Sequence, residues 1–271
     1  MLARMKTIGT AMNTESNTGL YRLLAWASPA FPTGAFSYSH GLEAAAADGA
    51  VHDRATLEAW IAALVTRGSG RIDEDILRDA WHAAASGDDA GLAETNQRGL
   101  AYRATAELAL ESSQQGAAFG AAHDAAWVDP HPPTPAAWAA PSPASGRGVD
   151  HADRKAPLPL AGEGGARSAT GEGVCHPAAF GTAAARAGVT LNDALTAYLQ
   201  AFAANLMSAG LRLGIVGQSD GQRILAAVEP VVTTAVAAAL NREPEDFGAA
   251  TFAADLASMA HETQYTRLFR S

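Results

Sequence analysis

The stretch "TLNDALTAYLQAFAANLMSAGLRL", Thr190 to Leu213, decides the fold. Leu195, Tyr198, Leu199, Phe202 and Leu206 return at intervals of three and four residues, which lines one face of an α-helix and cannot line one face of a strand. At its start Thr190 and Asp193 stand in capping-box spacing, where side-chain oxygens satisfy N–H groups that no intrahelical carbonyl reaches.

The same period extends outward in both directions. "DRATLEAWIAALVTRG" carries Leu57, Trp60, Ile61, Leu64 and Val65 on one stripe, with Asp53 as its N-cap and Gly68 as its stop. "DEDILRDAWHAAASG" repeats it with Ile76, Leu77, Ala80 and Trp81 and ends at Gly87. Leu92 to Trp127 reads as a longer, less regular helical segment resting on propensity more than pattern. On the other side, "DGQRILAAVEPVVTTAVAAAL" keeps Ile224, Leu225, Val228, Val232, Val236 and Leu240 in register, and Pro230 inside it predicts a kink or break near Glu229. "TFAADLASMAHETQ" closes the series with Phe252, Leu256 and Met259 as its apolar positions. The expected fold class is all-α, a compact bundle of roughly eight to ten helices.

One segment has no period. Pro130 to Val174 is dense in Pro, Gly, Ser and Ala, with Trp138 as its one large apolar anchor. It lacks the apolar surface to offset a backbone ordering cost of ~1–2 kcal/mol per residue, so a disordered Pro/Gly-rich insertion is expected over 130–174. The organisation is then a single helical domain over 19–271, interrupted there and preceded by a disordered leader over 1–18.

Composition bounds the chemistry. The formal charge of −9 repels nucleic acid. The single Cys175 precludes an intramolecular disulfide and fits a reducing compartment. No apolar run suggests a signal peptide or a membrane span, so the chain reads as cytoplasmic.

Several motifs fall short of chemistry. The insertion's glycines lack the following lysine of a phosphate loop, Lys155 lying before them. "HETQY" begins like a zinc-protease helix but has Tyr265 where the second histidine belongs. Cys175 and His176 are an adjacent soft-ligand pair, too few to fill a coordination sphere, so neither metal nor cofactor is expected. "SYSHG", Ser37 to Gly41, imitates a nucleophile elbow without the first glycine or a preceding strand. It leaves a small serine hydrolase built on Ser37 or Ser39 with His40 as the alternative reading. The blander account is a turn set by Pro29, Pro32 and Gly34 whose hydroxyls satisfy local backbone donors.

The crowding of residue types in that turn is what a family pattern explains. "LLAWASPAFPTGAFSYSHGLEAA", from Leu23, closely resembles the N-terminal signature of the urease accessory protein UreF family. "HPAAFGTAAARAGV" from His176, "AYLQAFAANLMSAGLRLGIVGQSDGQRILAAVEP" from Ala197 and "ATFAADLASMAHETQYTRLFRS" from Ala250 resemble its later blocks, in order. The segment around "ELALESSQQGAAFG" matches only loosely, and the insertion stands where the family has a short connection.

The resemblance implies an all-helical, non-enzymatic homodimer. It would bind UreD (also called UreH), recruit the GTPase UreG, and through that complex deliver nickel to apo-urease. Ser37, Tyr38, His40 and Glu43 of the turn are then expected to be partner-binding and packing residues. The tail "TQYTRLFRS" is the second partner-binding candidate, through Gln264, Tyr265, Arg267, Leu268, Phe269 and Arg270. Extending the helical period past Met259 would place Tyr265, Leu268 and Phe269 on one side, flanked by the two arginines.

Overall fold

The computed structural model describes residues 17–128 and 173–271, and all regular structure among them is helical. Helix α1 covers residues 17–26. It is followed by α2 (Leu42–Ala47), α3 (Arg54–Arg67), α4 (Ser69–Ser86), α5 (Asp89–Ala101) and α6 (Ala106–Trp127). Beyond the undescribed stretch come α7 (His176–Arg186), α8 (Leu191–Arg212), α9 (Gln218–Asn241) and α10 (Phe252–Glu262). Single 3₁₀ turns at Ala35–Ser37 and Pro244–Asp246 complete the order.

Local chemistry starts and stops these helices where the sequence places the signals. Asp53 accepts the Thr56 amide in a reciprocal capping box, and Thr190 accepts the Asp193 amide at 3.1 Å. Gly68 closes α3, and Gly87 ends α4 in the left-handed conformation. The stripes then meet: α8 lies against α9, α3 packs on α9, and α4 on α7 and α8. Leu57, Ile61, Leu195, Leu199, Leu206, Ile224 and Val228 are buried there. Each contributes about 1.5–3 kcal/mol of transfer free energy. The α4–α7 contact is the most extensive between helices, and Ala178, Ala179, Ala183 and Ala184 present almost no side chain there. A Cβ on Gly181 would stand 2.5 Å from the Leu77 carbonyl oxygen.

Several expectations are corrected. Of the kink or break expected near Glu229, the break does not occur: helix α9 is continuous through Pro230. Pro230 and Ala226, whose carbonyl loses its donor, are both exposed, so water can satisfy that oxygen while the opposite face stays packed. The segment Leu92–Trp127 is two helices, divided where Thr105 caps α6 by accepting the Leu108 amide. Residues 173–174 belong to the fold: the Gly173 carbonyl accepts from Asn96 and Val174 packs on the core. Residues 1–16 and 129–172, which hold most of the expected leader and insertion, lie outside the described residues.

Helix α9 is also long and apolar enough to cross a membrane by length and composition, with a mean hydropathy of 1.6. Glu229, Thr233 and Thr234 interrupt its apolar run, which is why a search for consecutive apolar residues passes over it. Its Ile224, Val228, Val232 and Val236 are buried in the bundle.

Helix α10 departs most from expectation. Phe252, Leu256 and Met259 point outward, at 78%, 65% and 49% exposure, while Ala254, Ser258 and His261 form the inner face. The cause is a close approach to the start of α2, where a Cβ on Gly41 would lie 2.7 Å from the Ser258 amide nitrogen. Only the small face fits against that turn.

Candidate functional site

The turn "FSYSHGLE" enters α2 through consecutive left-handed residues, His40 at φ 52° and Gly41 at φ 75°. Glycine adopts that conformation freely, whereas a histidine there is held by its surroundings. What holds it is a set of carboxylates from α2 and α6 together with the C-terminal segment. His40 Nε2 is 3.0 Å from Glu111 Oε1, and His40 Nδ1 is 3.2 Å from the Ser69 hydroxyl. Burial alone would lower the His40 pKa; the adjacent Glu111 carboxylate outweighs it and leaves the pKa raised.

The tail 263–271 does not continue α10, which stops at Glu262. It turns back and lies along the signature. The Arg270 amide donates to the Ser37 carbonyl, and the Ser39 amide to the Ser271 carbonyl, each at 2.8 Å. The Ser39 hydroxyl donates to that same Ser271 carbonyl. Glu43, on α2, accepts the amides of Leu268 at 2.6 Å and Phe269 at 2.8 Å. His261 is fully buried between two carboxylates, with Nε2 3.1 Å from Glu43 and Nδ1 2.7 Å from Glu107. Arg267 reaches the other Glu107 oxygen at 2.5 Å, and the Ser271 hydroxyl donates to Glu111 at 3.1 Å. Phe269 is buried at 4% exposure, with the Arg212 guanidinium 4.2 Å over its ring.

The sequence candidates therefore divide by depth. Tyr38, His40, Glu43 and Phe269 are buried, and Ser37 and Gln264 are partly so. The Tyr38 hydroxyl donates to Gln114 at 2.6 Å, and burial followed by the Glu111 charge raises its pKa. Tyr265, Arg267, Leu268 and Arg270 are exposed. Phe269 and Tyr265 thus face opposite ways, contrary to the helical extension.

Sequence reasoning missed His261, Glu107, Glu111, Ser39 and Ser271 as members of this cluster. The available signals were positional: Glu107 and Glu111 are four apart on α6, and His261 continues the Ala254–Ser258 face of α10.

One other expectation is corrected. Ser37 and Ser39 do not engage the His40 ring, which reaches Ser69 and Glu111 instead, so the hydrolase cluster is not assembled as expected. Cys175 is fully buried, and burial pushes its thiol up to about 11 and the neighbouring His176 down to about 4. No group of three metal-ligating side chains occurs among the described residues.

Comparison with known sequences places this arrangement. The UreF family profile matches residues 51–229. The chain belongs to the UreF family of urease accessory proteins. It is 44% identical over 259 residues to the urease accessory protein UreF of Granulibacter bethesdensis, covering 96% of this chain and 97% of that protein. It is 39% identical over 264 residues to the UreF of a Bradyrhizobium species, with 97% of each chain covered. With the UreF of Azorhizobium caulinodans it shares 40% over 262 residues, 97% of this chain and 100% of the other. The signature turn and the tail fall outside the profile's span, yet these alignments cover nearly the whole chain.

Proposed function

We propose that this UreF-family protein is a non-enzymatic scaffold for urease maturation. In this reading it works in the cytoplasm as a homodimer and binds UreD (UreH). It then recruits the GTPase UreG and gates its GTP hydrolysis, so that nickel, the cargo, reaches apo-urease only within the assembled complex. The observation that carries the reading is the surface presented by the latched tail. Phe252, Leu256 and Met259 of α10 lie exposed in the chain that continues into exposed Tyr265, Leu268, Arg267 and Arg270. Exposed aromatic and aliphatic side chains with arginines nearby are the composition of interface anchors. Ser37, Tyr38, His40 and Glu43 serve this surface from beneath, and Ser37, through its carbonyl, and Glu43, through its carboxylate, are partner-binding residues by way of the tail they hold. Reconstitution tests it: purified protein should co-purify with UreD and UreG and raise nickel-dependent urease activation. Failure to bind either partner with the tail intact would overturn it.

A second reading is favoured by one observation, the Ser69–His40–Glu111 chain, in which a hydroxyl, an imidazole and a carboxylate stand in hydrogen-bonding sequence. It predicts covalent labelling of Ser69 by a fluorophosphonate. An unlabelled Ser69 in folded protein removes it.

A further inference from the structure

His261 joins the two walls of the latch, and both of its ring nitrogens are committed. The ring is fully buried, at 0% exposure. Its Nδ1 stands 2.7 Å from Glu107 Oε2 on α6, and its Nε2 stands 3.1 Å from Glu43 Oε2 on α2. A neutral imidazole has one N–H and one lone pair, so it can donate to one of these carboxylates only while its lone pair faces the other. Both contacts are hydrogen bonds when the ring carries a second proton. The local charges balance on the same condition. Glu43 and Glu107 bring two negative charges, Arg267 supplies one positive charge at Glu107 Oε1, and the imidazolium supplies the other.

Each of these carboxylates also holds the tail. Glu43 Oε1 accepts the Leu268 amide and Oε2 the Phe269 amide, while Glu107 accepts from Arg267. Loss of the ring proton therefore sets a lone pair against an oxygen of a docking carboxylate and leaves an uncompensated negative charge beside a ring that bulk water does not reach. The neighbouring titratable groups do not share this dilemma. Glu262 of α10 accepts the Ala106 and Glu107 amides, and Glu111 of α6 meets His40 and the Ser271 hydroxyl. His40 itself can be neutral at no loss of contacts, donating from Nε2 to Glu111 and accepting from the Ser69 hydroxyl at Nδ1.

We propose that the latch is a proton-controlled switch, closed while His261 bridges Glu43 and Glu107 through two ring N–H groups and opened when the second of those protons leaves. Rising pH then frees the tail from the signature turn and withdraws the surface that carries Tyr265, Leu268, Arg267 and Arg270. The switch stands on the docking geometry of this chain alone; only its effect on partner capture rests on the function proposed above.

The test follows the full ¹⁵N-labelled chain, without partners, from about pH 5 to about pH 10. The protonation of His261 is read from its Nδ1 and Nε2 shifts, and docking from hydrogen exchange of the Leu268 and Phe269 amides, corrected for their intrinsic rates. Protection of these two amides should fall by about tenfold or more in step with loss of the second His261 proton, while the α8 amides keep theirs. Glu107→Gln presents an amide that can accept from a ring N–H or donate to a ring lone pair, so its tail should stay docked across the range with the pH dependence gone. His261→Gln should leave both amides poorly protected at every pH. Protection that persists while the ring loses its proton would overturn the switch. So would a single N–H on the ring beneath a docked tail at about pH 5, or two that remain through about pH 10. Glu107→Gln retaining the parent's pH dependence would place the titrating group elsewhere and overturn it as well.

Discussion

Two clusters of buried acid sit in this bundle, one in α4 and one around the tail, and they are satisfied in opposite ways. In α4, consecutive Asp73, Glu74 and Asp75 are all buried. Asp73 pairs with Arg103 at 2.7 Å, Asp75 with Arg242 at 2.7 Å and Arg78 at 3.0 Å, and Glu74 more loosely with Arg242 at 3.4 Å. One oxygen of Glu74 and one of Asp75 have no partner. Burial pushes the Glu74 carboxyl up to about 8, and it also raises Asp75. Around the tail, by contrast, every oxygen of Glu43, Glu107 and Glu111 has a partner. Most of those partners belong to α10 or the nine residues after it. The α4 cluster carries its unmet groups within the bundle permanently. The tail cluster is complete only while one short segment stays docked, which makes it the place where order in the turn and order in the tail are coupled.

The largest expected effect breaks that coupling outright. Deleting Gln264–Ser271 exposes the Phe269 site and strips Glu43 and Glu111 of partners, a loss of about 4 kcal/mol. The melting temperature should fall by about 8–16 °C, and co-purification with UreD should be lost. The sequence alone suggests little loss of stability on this truncation; a melting temperature within about 2 °C of the parent would restore that view and sink the latch.

Glu43→Ala removes two amide contacts and one side of His261, and should cost about 2–3 kcal/mol. Its distinguishing readout is hydrogen exchange: the Leu268 and Phe269 amides should lose protection while those of α8 keep theirs. Uniform loss across both would mean that Glu43 supports the whole fold.

The α4 cluster is probed by pH. A carboxyl whose pKa is raised on folding binds its proton more tightly in the native state. Its stabilising contribution is therefore full below the unfolded value near 4.5 and lost as pH rises through about 8. Glu74→Gln should be more stable than the parent by about 1–3 kcal/mol at pH 9, with the difference shrinking toward pH 4.5. A gap of the opposite sign at pH 9 would show that the charged Glu74–Arg242 pair is stabilising.

The smallest stability effects belong to the outward face. Tyr265→Ala and Arg270→Glu should change stability by no more than about 0.5 kcal/mol while weakening UreD capture. A folded double variant that still captures UreD at parental affinity would move the interface elsewhere.

The helices were legible because their causes are local. Leu195 to Leu206 needs only a period of 3.6, and Asp53 needs only Thr56 three residues on. The inner face of α10 was not legible, because apolarity points to Phe252, Leu256 and Met259, whereas the decisive fact is how close Gly41 brings another backbone. The candidate site was half legible. The signature turn and the tail both stood out as unusual, but that they meet each other did not. Glu107 and Glu111 lie in the stretch that matched the family loosely, and nothing near them in sequence calls for an acid.

By itself, then, the sequence determined the all-helical class, most helix ends, the family and the two segments worth watching, since periodicity, capping and motif order are properties of neighbours along the chain. Only the tertiary structure decided that Glu43 grips amides 225 and 226 residues away and that His261 joins α2 to α6. A buried carboxylate is stable only beside donors, and which distant donors arrive is settled when the helices pack.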